Sequence, residues 1–347
     1  MTASRRKIVR FNHWTSPRFD ALLNASPVVE LQVLDLQAPE ETNWQALASA
    51  DIYHVSAAKD DVPPRWQVTE DLLARCPNLL CASSSGAGYD TVDVAACTRH
   101  GVLVVNQSGG NAIAVAEHAF GLILDLKHRI TESDGRLKQG GKLKREDLMG
   151  HDIHGLTLGL VGLGNIGQRM AKLGAAFGMR VIAHDPYLSE ADMRARGAEP
   201  VSFDELLAQS DVVSLHCPRD SVTLNLFDAA VFAGMKRGAI FISTARGGIH
   251  DEAALYAALV GGQLAGAGLD VWQIEPPPAD HPLLTLPNVV STFHTAGVSH
   301  EARLNTHTIA AQQILTICAG ERAPRVVNPE VLPVFTDRFF QTAQAQA

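Results

Sequence analysis

The stretch from Leu158 to Asp185 constrains this chain more than any other. It reads Leu158-Gly-Leu-Val-Gly162-Leu-Gly164-Asn-Ile-Gly167, runs into Gln168-Arg-Met-Ala-Lys-Leu-Gly-Ala-Ala-Phe-Gly178, and reaches Asp185 after a second apolar run. The order is strand, glycine turn, helix, strand, acid. In a chain with 28 glycines a G-x-G-x-x-G string arises easily by chance, so its context carries the weight. The first glycine permits a tight turn, the second lets the backbone approach a pyrophosphate, and the third lets the helix pack close to the strand. Phosphate charge then meets the positive end of the helix. A carboxylate at Asp185 accepts hydrogen bonds from a ribose diol and repels a 2′-phosphate, and His184-Asp-Pro-Tyr-Leu188 holds no Arg or Lys. The expectation is a dinucleotide site that prefers NAD over NADP. The plain alternative is an ordinary strand-to-helix turn beside a surface aspartate.

A chain of 347 residues holds roughly two domains. Its 46% apolar and 19% charged fractions describe a globular protein. The formal charge of −8 argues against nucleic acid as a main partner, because phosphate backbones need a basic face. Cys76, Cys81, Cys97, Cys217 and Cys318 are odd in number and show no C-x-x-C spacing, so neither a disulfide framework nor a metal site is suggested. A reducing cytoplasm fits best. The basic start, Met1 to Arg10, lacks the apolar segment of a secretory signal, and no run approaches the roughly 18 apolar residues of a membrane span. Ser4-Arg-Arg-Lys7 is expected to be a solvated terminus.

The glycine turn comes late, so a folded region precedes it. There Val28–Leu34, Asp51–Val55, Leu79–Ser83 and Val102–Val105 have the character of short strands, with helical patterns at Thr69–Arg75 and Val92–Cys97 between them. Such alternation predicts a small parallel α/β domain. Asn111–Leu126 predicts a long, largely buried helix that crosses between domains, followed by a basic, glycine-broken loop at Gly135–Arg145. Beyond the turn, strands are expected at Asp211–His216, Ala239–Ser243, Ala265–Asp270 and Val289–Thr292, with helices at Phe203–Gln209 and Glu252–Leu259. These complete a doubly wound set. The last clear helix runs from about Ser299 to Cys318, and Glu275-Pro-Pro-Pro278 marks a rigid turn.

Ligands of open α/β sheets bind beyond the carboxyl ends of the strands, and three reactive side chains stand at such ends. Arg246 follows Ile240–Ala245, Glu275 follows Asp270–Trp272, and His294 follows Val289–Phe293. Gathered beside a nicotinamide, these three suit hydride transfer to a 2-oxo acid. Arg246 would hold the carboxylate or the carbonyl oxygen through its planar fork. His294 would protonate that oxygen, and Glu275 would orient the imidazole and favour its charged form. Taken singly, each has an ordinary explanation as a surface or core residue.

Together with its surroundings, the chain resembles the D-isomer-specific 2-hydroxyacid dehydrogenase family. The resemblance rests on Ser85-Gly-Ala-Gly-Tyr-Asp90, Asn111 to His118, Gly162 to Gly167, Ala245-Arg-Gly-Gly-Ile-His-Asp-Glu252, Leu269-Asp-Val-Trp272 with Glu275-Pro276, and His294-Thr-Ala-Gly297. It implies a Rossmann doubly wound NAD-binding domain, residues 111–299, inserted into a smaller flavodoxin-like α/β substrate domain, residues 1–110 and 300–347. The active site would lie in the cleft between them. It supports Arg246, Glu275 and His294 as the catalytic set. The cofactor set it implies is Gly162, Gly164, Asn165, Ile166, Gly167, Asp185, Cys217, Thr244, Ala245, Asp270 and Gly297, with Asp270 facing the nicotinamide carboxamide. The backbone amides of Ser85, Gly86, Ala87 and Gly88 would grip the substrate carboxylate, as glycine-rich turns can. A homodimer built around the cofactor domain is implied as well.

The resemblance therefore predicts an NAD-dependent reductase of a small 2-oxo acid such as hydroxypyruvate, glyoxylate or 3-phosphohydroxypyruvate. A second class is a dinucleotide-gated binding protein like the C-terminal-binding corepressors, which share this fold and these residues; the compact chain disfavours it. Formate dehydrogenase relatives pair the histidine with glutamine where Glu275 stands, and phosphite-oxidising relatives place a lysine near the substrate loop, whereas Ser83-Ser-Ser-Gly-Ala-Gly88 is uncharged. One departure is Phe293, which stands where the family usually has proline before the histidine. The segment after the last clear helix is expected to be too short for the extra regulatory domain of some phosphoglycerate dehydrogenases.

Overall fold

The computed structural model describes residues 5–140, 142 and 144–345, with side chains through residue 341. Ser4 of the basic terminus, and Gly141 and Leu143 of the expected loop, lie outside the described residues. The chain divides into two compact units, Met1–Asn111 with His300–Ala347, and Ala112–Ser299.

In the first unit, strands β1 (Arg6–Phe11), β2 (Val29–Leu34), β3 (Ile52–Val55), β4 (Cys81–Ser84) and β5 (Leu103–Val105) alternate with helices. These are α1 (Pro17–Asn24), α2 (Glu40–Ala48), α3 (Glu70–Arg75) and α4 (Val94–Arg99). The sheet is parallel, in the order β2-β1-β3-β4-β5, which is the flavodoxin-like order. Successive strand residues feed opposite faces, as the pleat requires. Val9, Phe11, Tyr53, Val55 and Ala82 pack with Trp44 and Trp66 on one side, while Ile8, Ile52, Cys81 and Leu103 pack with Phe19 and Leu23 of α1 on the other.

Strand β1 was not expected, because Arg6, Lys7 and Arg10 interrupt its apolar run. Structure supplies the missing partners. Arg6 is buried against Asp51 at 2.9 Å, and Arg10 meets Asp20 at 2.5 Å. The solvated-terminus expectation therefore fails at Arg6, whose guanidinium also lies 4.3 Å from the Phe339 ring centroid.

The second unit begins with α5 (Ala112–His128) and α6 (Ile130–Gln139). Strands β6 (Thr157–Val161), β7 (Arg180–His184), β8 (Glu199–Pro200), β9 (Val212–Leu215), β10 (Ala239–Ser243), β11 (Leu264–Leu269) and β12 (Val289–Ser291) follow. Between them lie α7 (Gly167–Ala176), α8 (Glu190–Ala195), α9 (Phe203–Gln209), α10 (Ala229–Gly234) and α11 (Glu252–Val260). All pairings are parallel, in the order β12-β11-β10-β9-β6-β7-β8. This is the Rossmann doubly wound order, and it reverses where β6 meets β9. Helix α5 buries Ala112, Val115, Ala116, Ala119, Phe120, Leu122 and Ile123, which is one stripe at helical spacing; Ile113 on another face stays exposed. It is less buried than expected.

The expected loop at Gly135–Arg145 is corrected by α6, a helix that runs through Gly135 and has no buried residue. Charge pairing sustains it. Glu132 bridges Arg129 and Arg136, and Asp134 meets Lys138 one turn on. The chain finally returns to the first unit as α12 (His300–Cys318) and α13 (Leu332–Ala345). Ala310, Ala311, Ile314 and Ile317 of α12 close the core over Ile8, Ile52 and Leu103. Helix α13 was not expected.

Candidate active site

The glycine turn joins β6 to α7 as its spacing requires. Gly162 has φ +90°, and a Cβ there would stand 2.9 Å from the Cys217 backbone nitrogen. A Cβ on Gly167 would stand 2.3 Å from the Gly162 carbonyl oxygen, so only glycine lets the helix start this close to the strand. A Cβ on Gly164 would meet nothing within 4 Å, which leaves open space at the point where a pyrophosphate would approach. Ile166 stands at the N-cap of α7 and makes no side-chain hydrogen bond to the helix. These features fit a dinucleotide phosphate.

Asp185 ends β7 and folds back on the turn. Its Oδ2 accepts the Leu163 N–H at 2.9 Å and its Oδ1 accepts the Tyr187 N–H at 3.0 Å. Each carboxylate oxygen keeps capacity for a ribose hydroxyl. Arg196, which the sequence does not single out, donates to the Leu163 carbonyl oxygen at 2.8 Å. Cys217 lies against the turn, where burial pushes its thiol up to about 11 and keeps it neutral. Thr244 and Ala245 follow β10; both are buried, and the Thr244 hydroxyl has no hydrogen-bond partner. Gly297 follows buried Ala296.

Arg246, Glu275 and His294 come together in the second unit. The loops after β10 and β11 lie in direct contact, since a Cβ on Gly247 would fall 1.8 Å from the Trp272 carbonyl oxygen. That glycine lets the Arg246 loop rest on the loop that carries Glu275. His294 Nδ1 stands 2.7 Å from Glu275 Oε2, and Glu275 Oε1 accepts the Trp272 N–H at 3.0 Å. Arg246 donates to the Ala245 carbonyl oxygen at 2.7 Å, and its charge is felt at Glu275. Partial burial pushes the Glu275 carboxyl up, but the His294 hydrogen bond and charge, the Trp272 N–H and the Arg246 guanidinium together outweigh it. Glu275 therefore sits below the usual carboxylate range, as an anion against the imidazole. The Glu275-Pro276 peptide is cis.

His294 has φ +49°, a left-handed conformation that costs a non-glycine residue roughly 1 kcal/mol. Asp270 holds it there. The Asp270 carbonyl accepts the His294 N–H at 2.8 Å, while its carboxylate accepts the N–H of Thr295 at 2.8 Å and of Ala296 at 2.9 Å. Thr292 Oγ1 donates to the same carboxylate at 2.6 Å and lies 2.9 Å from His118 Nε2 of α5. Thr292 and His118 were missed by the sequence, which offers no local signal linking them.

In the first unit, the Ser85–Gly88 turn leaves β4 at its carboxyl end. Gln107 N–H donates to the Gly86 carbonyl at 2.8 Å, Asn106 Nδ2 to that of Ala87 at 2.8 Å, and Ser84 Oγ to that of Gly88 at 2.5 Å. In a trans peptide the N–H of the next residue points away from its carbonyl, so the N–H groups of Ala87, Gly88 and Tyr89 are directed away from Gln107, Asn106 and Ser84 respectively. Ser85 is a correction. Its N–H is committed to the Val55 carbonyl at 2.8 Å and its hydroxyl accepts the Ala57 N–H at 3.1 Å, because it extends the β3–β4 ladder.

Comparison with known proteins agrees with this geometry. A family model described as "D-isomer specific 2-hydroxyacid dehydrogenase, NAD binding domain" matches residues 120–296. D-3-phosphoglycerate dehydrogenase of Archaeoglobus fulgidus is 41% identical over 273 residues, covering 78% of this chain and 52% of that protein. Glyoxylate reductase of Korarchaeum cryptofilum is 37% identical over 298 residues, covering 80% of this chain and 90% of that protein. Among solved structures, D-lactate dehydrogenase of Aquifex aeolicus, complexed with NAD and lactic acid, superposes with a TM-score of 0.78 at 27% identity, covering 92% of this chain and 98% of that one. The chain spans about half the length of the phosphoglycerate dehydrogenases that it matches. Glycine turn, acid, paired histidine and carboxylate, and doubly wound order thus coincide with a family match across the second unit, and the chain belongs to the D-isomer-specific 2-hydroxyacid dehydrogenases.

Proposed function

We propose that the protein is an oxidoreductase that reduces a small 2-oxo acid to the D-2-hydroxy acid with NADH. The observation that carries this reading is the His294 Nδ1 to Glu275 Oε2 contact of 2.7 Å beside Arg246. Bound NADH supplies the hydride. With Nδ1 committed to the carboxylate, His294 gives its proton from Nε2 to the carbonyl oxygen, and Glu275 stabilises the charged ring beforehand. Arg246 grips the carboxylate or the carbonyl oxygen. The first unit acts as the substrate domain, and the backbone amides of Gly86, Ala87 and Gly88 are offered to the substrate carboxylate. The second unit acts as the cofactor domain.

Hydroxypyruvate, glyoxylate and 3-phosphohydroxypyruvate are the candidate substrates, in keeping with relatives named for phosphoglycerate and glyoxylate. Asp185 supports NAD over NADP, and equal efficiency with NADPH would contradict that preference. Helix α6 buries nothing in its own chain and exposes Ile130 and Leu137, which supports a homodimer that covers it. The five cysteines are free thiols, which supports a reducing cytoplasm. The test is chiral analysis of the product that NADH gives from hydroxypyruvate and from 3-phosphohydroxypyruvate, glycolate from glyoxylate being achiral. The D-isomer alone is expected, and an L or racemic product would overturn the reading.

A further inference from the structure

The loop that carries His294 is anchored by a relay reaching back to α5, and nothing in the reaction as derived above uses it. A residue at φ +49° followed by two N–H groups aimed at one point forms a concavity that binds an anion. Here the anion is internal: the buried Asp270 carboxylate, which takes the amides of both Thr295 and Ala296. A carboxylate in that position can turn about its own axis, and turning would swap or lose those amides. Thr292 prevents this. Its hydroxyl proton goes to Asp270 Oδ1 at 2.6 Å, so its remaining lone pairs face His118 at 2.9 Å, and His118 Nε2 must be the donor. The Trp272 indole holds the Thr292 carbonyl at 3.1 Å from the other side.

We propose that Thr292 and His118 are positioning residues for His294, acting through Asp270: the relay His118 to Thr292 to Asp270 locks the left-handed turn that aims the imidazole at Glu275. The proposal rests on His294 as the proton donor of the reaction. It also gives the Asp270 carboxylate work inside the protein, apart from any contact with the cofactor. Proline, whose ring would stiffen the backbone before the histidine, is absent at Phe293, so in this chain side-chain hydrogen bonds carry that constraint.

The test uses T292V, which keeps shape and removes the hydroxyl, T292S, which keeps the hydroxyl, and H118L. Two quantities are read on the full chain: NADH affinity with turnover, and hydrogen exchange of the Thr295 and Ala296 amides without ligand. T292V and H118L are expected to lower kcat about 10- to 100-fold, as misaimed catalytic groups do, with NADH affinity nearly unchanged. The two amides should exchange faster in both variants, and T292S should restore turnover and protection together. Unchanged protection in T292V, or loss of NADH affinity in step with kcat, overturns the proposal. Wild-type turnover in H294A overturns the functional reading instead and leaves the exchange result to judge the relay.

Discussion

A histidine whose Nδ1 rests on a carboxylate has one ring nitrogen left for chemistry, and in His294 the carboxylate is that of Glu275. Glu275 sits below its ordinary range although partial burial acts against it, so it is held as an anion. Glu275→Gln keeps a hydrogen-bonding group and removes the charge. Reductive kcat/KM should then fall at lower pH than in the wild type, because the charged imidazole has lost its counterion; an alkaline limb that does not move would contradict the pairing. Arg246, Glu275 and His294 could be singled out in the sequence because each stands in the loop beyond the carboxyl end of an apolar strand. Asp270 was visible only by resemblance. The pairing of Thr292 with His118 was not legible, since the two meet across 174 residues, although His118 ends one of the stretches that carry the resemblance.

Among elements, strands with clean apolar runs such as Ala239–Ser243 were readable, whereas β1 hid behind its arginines. What rescues β1 is tertiary: Asp51 takes Arg6 Nη1 at 2.9 Å and the Lys7 N–H at 2.8 Å. Asp51→Ala leaves a buried guanidinium short of its counterion. A loss of about 3 kcal/mol in urea unfolding is expected, as for one broken half of a buried pair. A loss below about 1 kcal/mol, the level of an exposed pair, would show that Arg6 is not held as described. Helix α6 escaped detection for the opposite reason. It has no apolar stripe in its own core to announce it, and its support is a chain of charges spaced three and four residues apart.

Over the whole molecule, the position of the glycine turn in mid-chain was enough to foresee a folded region before it, and the alternation of strands and helices was enough to foresee parallel sheets, whereas the flavodoxin-like order of the first came only with the resemblance. Buried histidines were not foreseeable, because their surroundings are built from distant segments. Burial pulls His307 down to about 4 and holds His54 well below its ordinary value in the first unit, and pulls His250 down to about 4 and His216 to about 3 in the second. Each is held neutral in the folded chain and titrates near 6.5 when unfolded. Their contribution to stability is complete above about pH 6.5 and is lost progressively as pH falls from there through the folded values. The unfolding midpoint should therefore drop clearly between pH 7.5 and pH 5, and a flat response would contradict the burial of these rings.

The proposed reaction turns on proton donation by His294 to a 2-oxo acid during hydride transfer. NADH oxidation followed against glyoxylate, hydroxypyruvate, pyruvate, 2-oxoglutarate, phenylpyruvate and 3-phosphohydroxypyruvate, with the wild type and with His294→Ala, tests it most directly. Turnover is expected with at least one of these acids, with a fall of about 10²-fold or more in kcat for the variant and nearly unchanged NADH affinity. Near wild-type turnover in His294→Ala, or silence across the panel while NADH still binds, would contradict it.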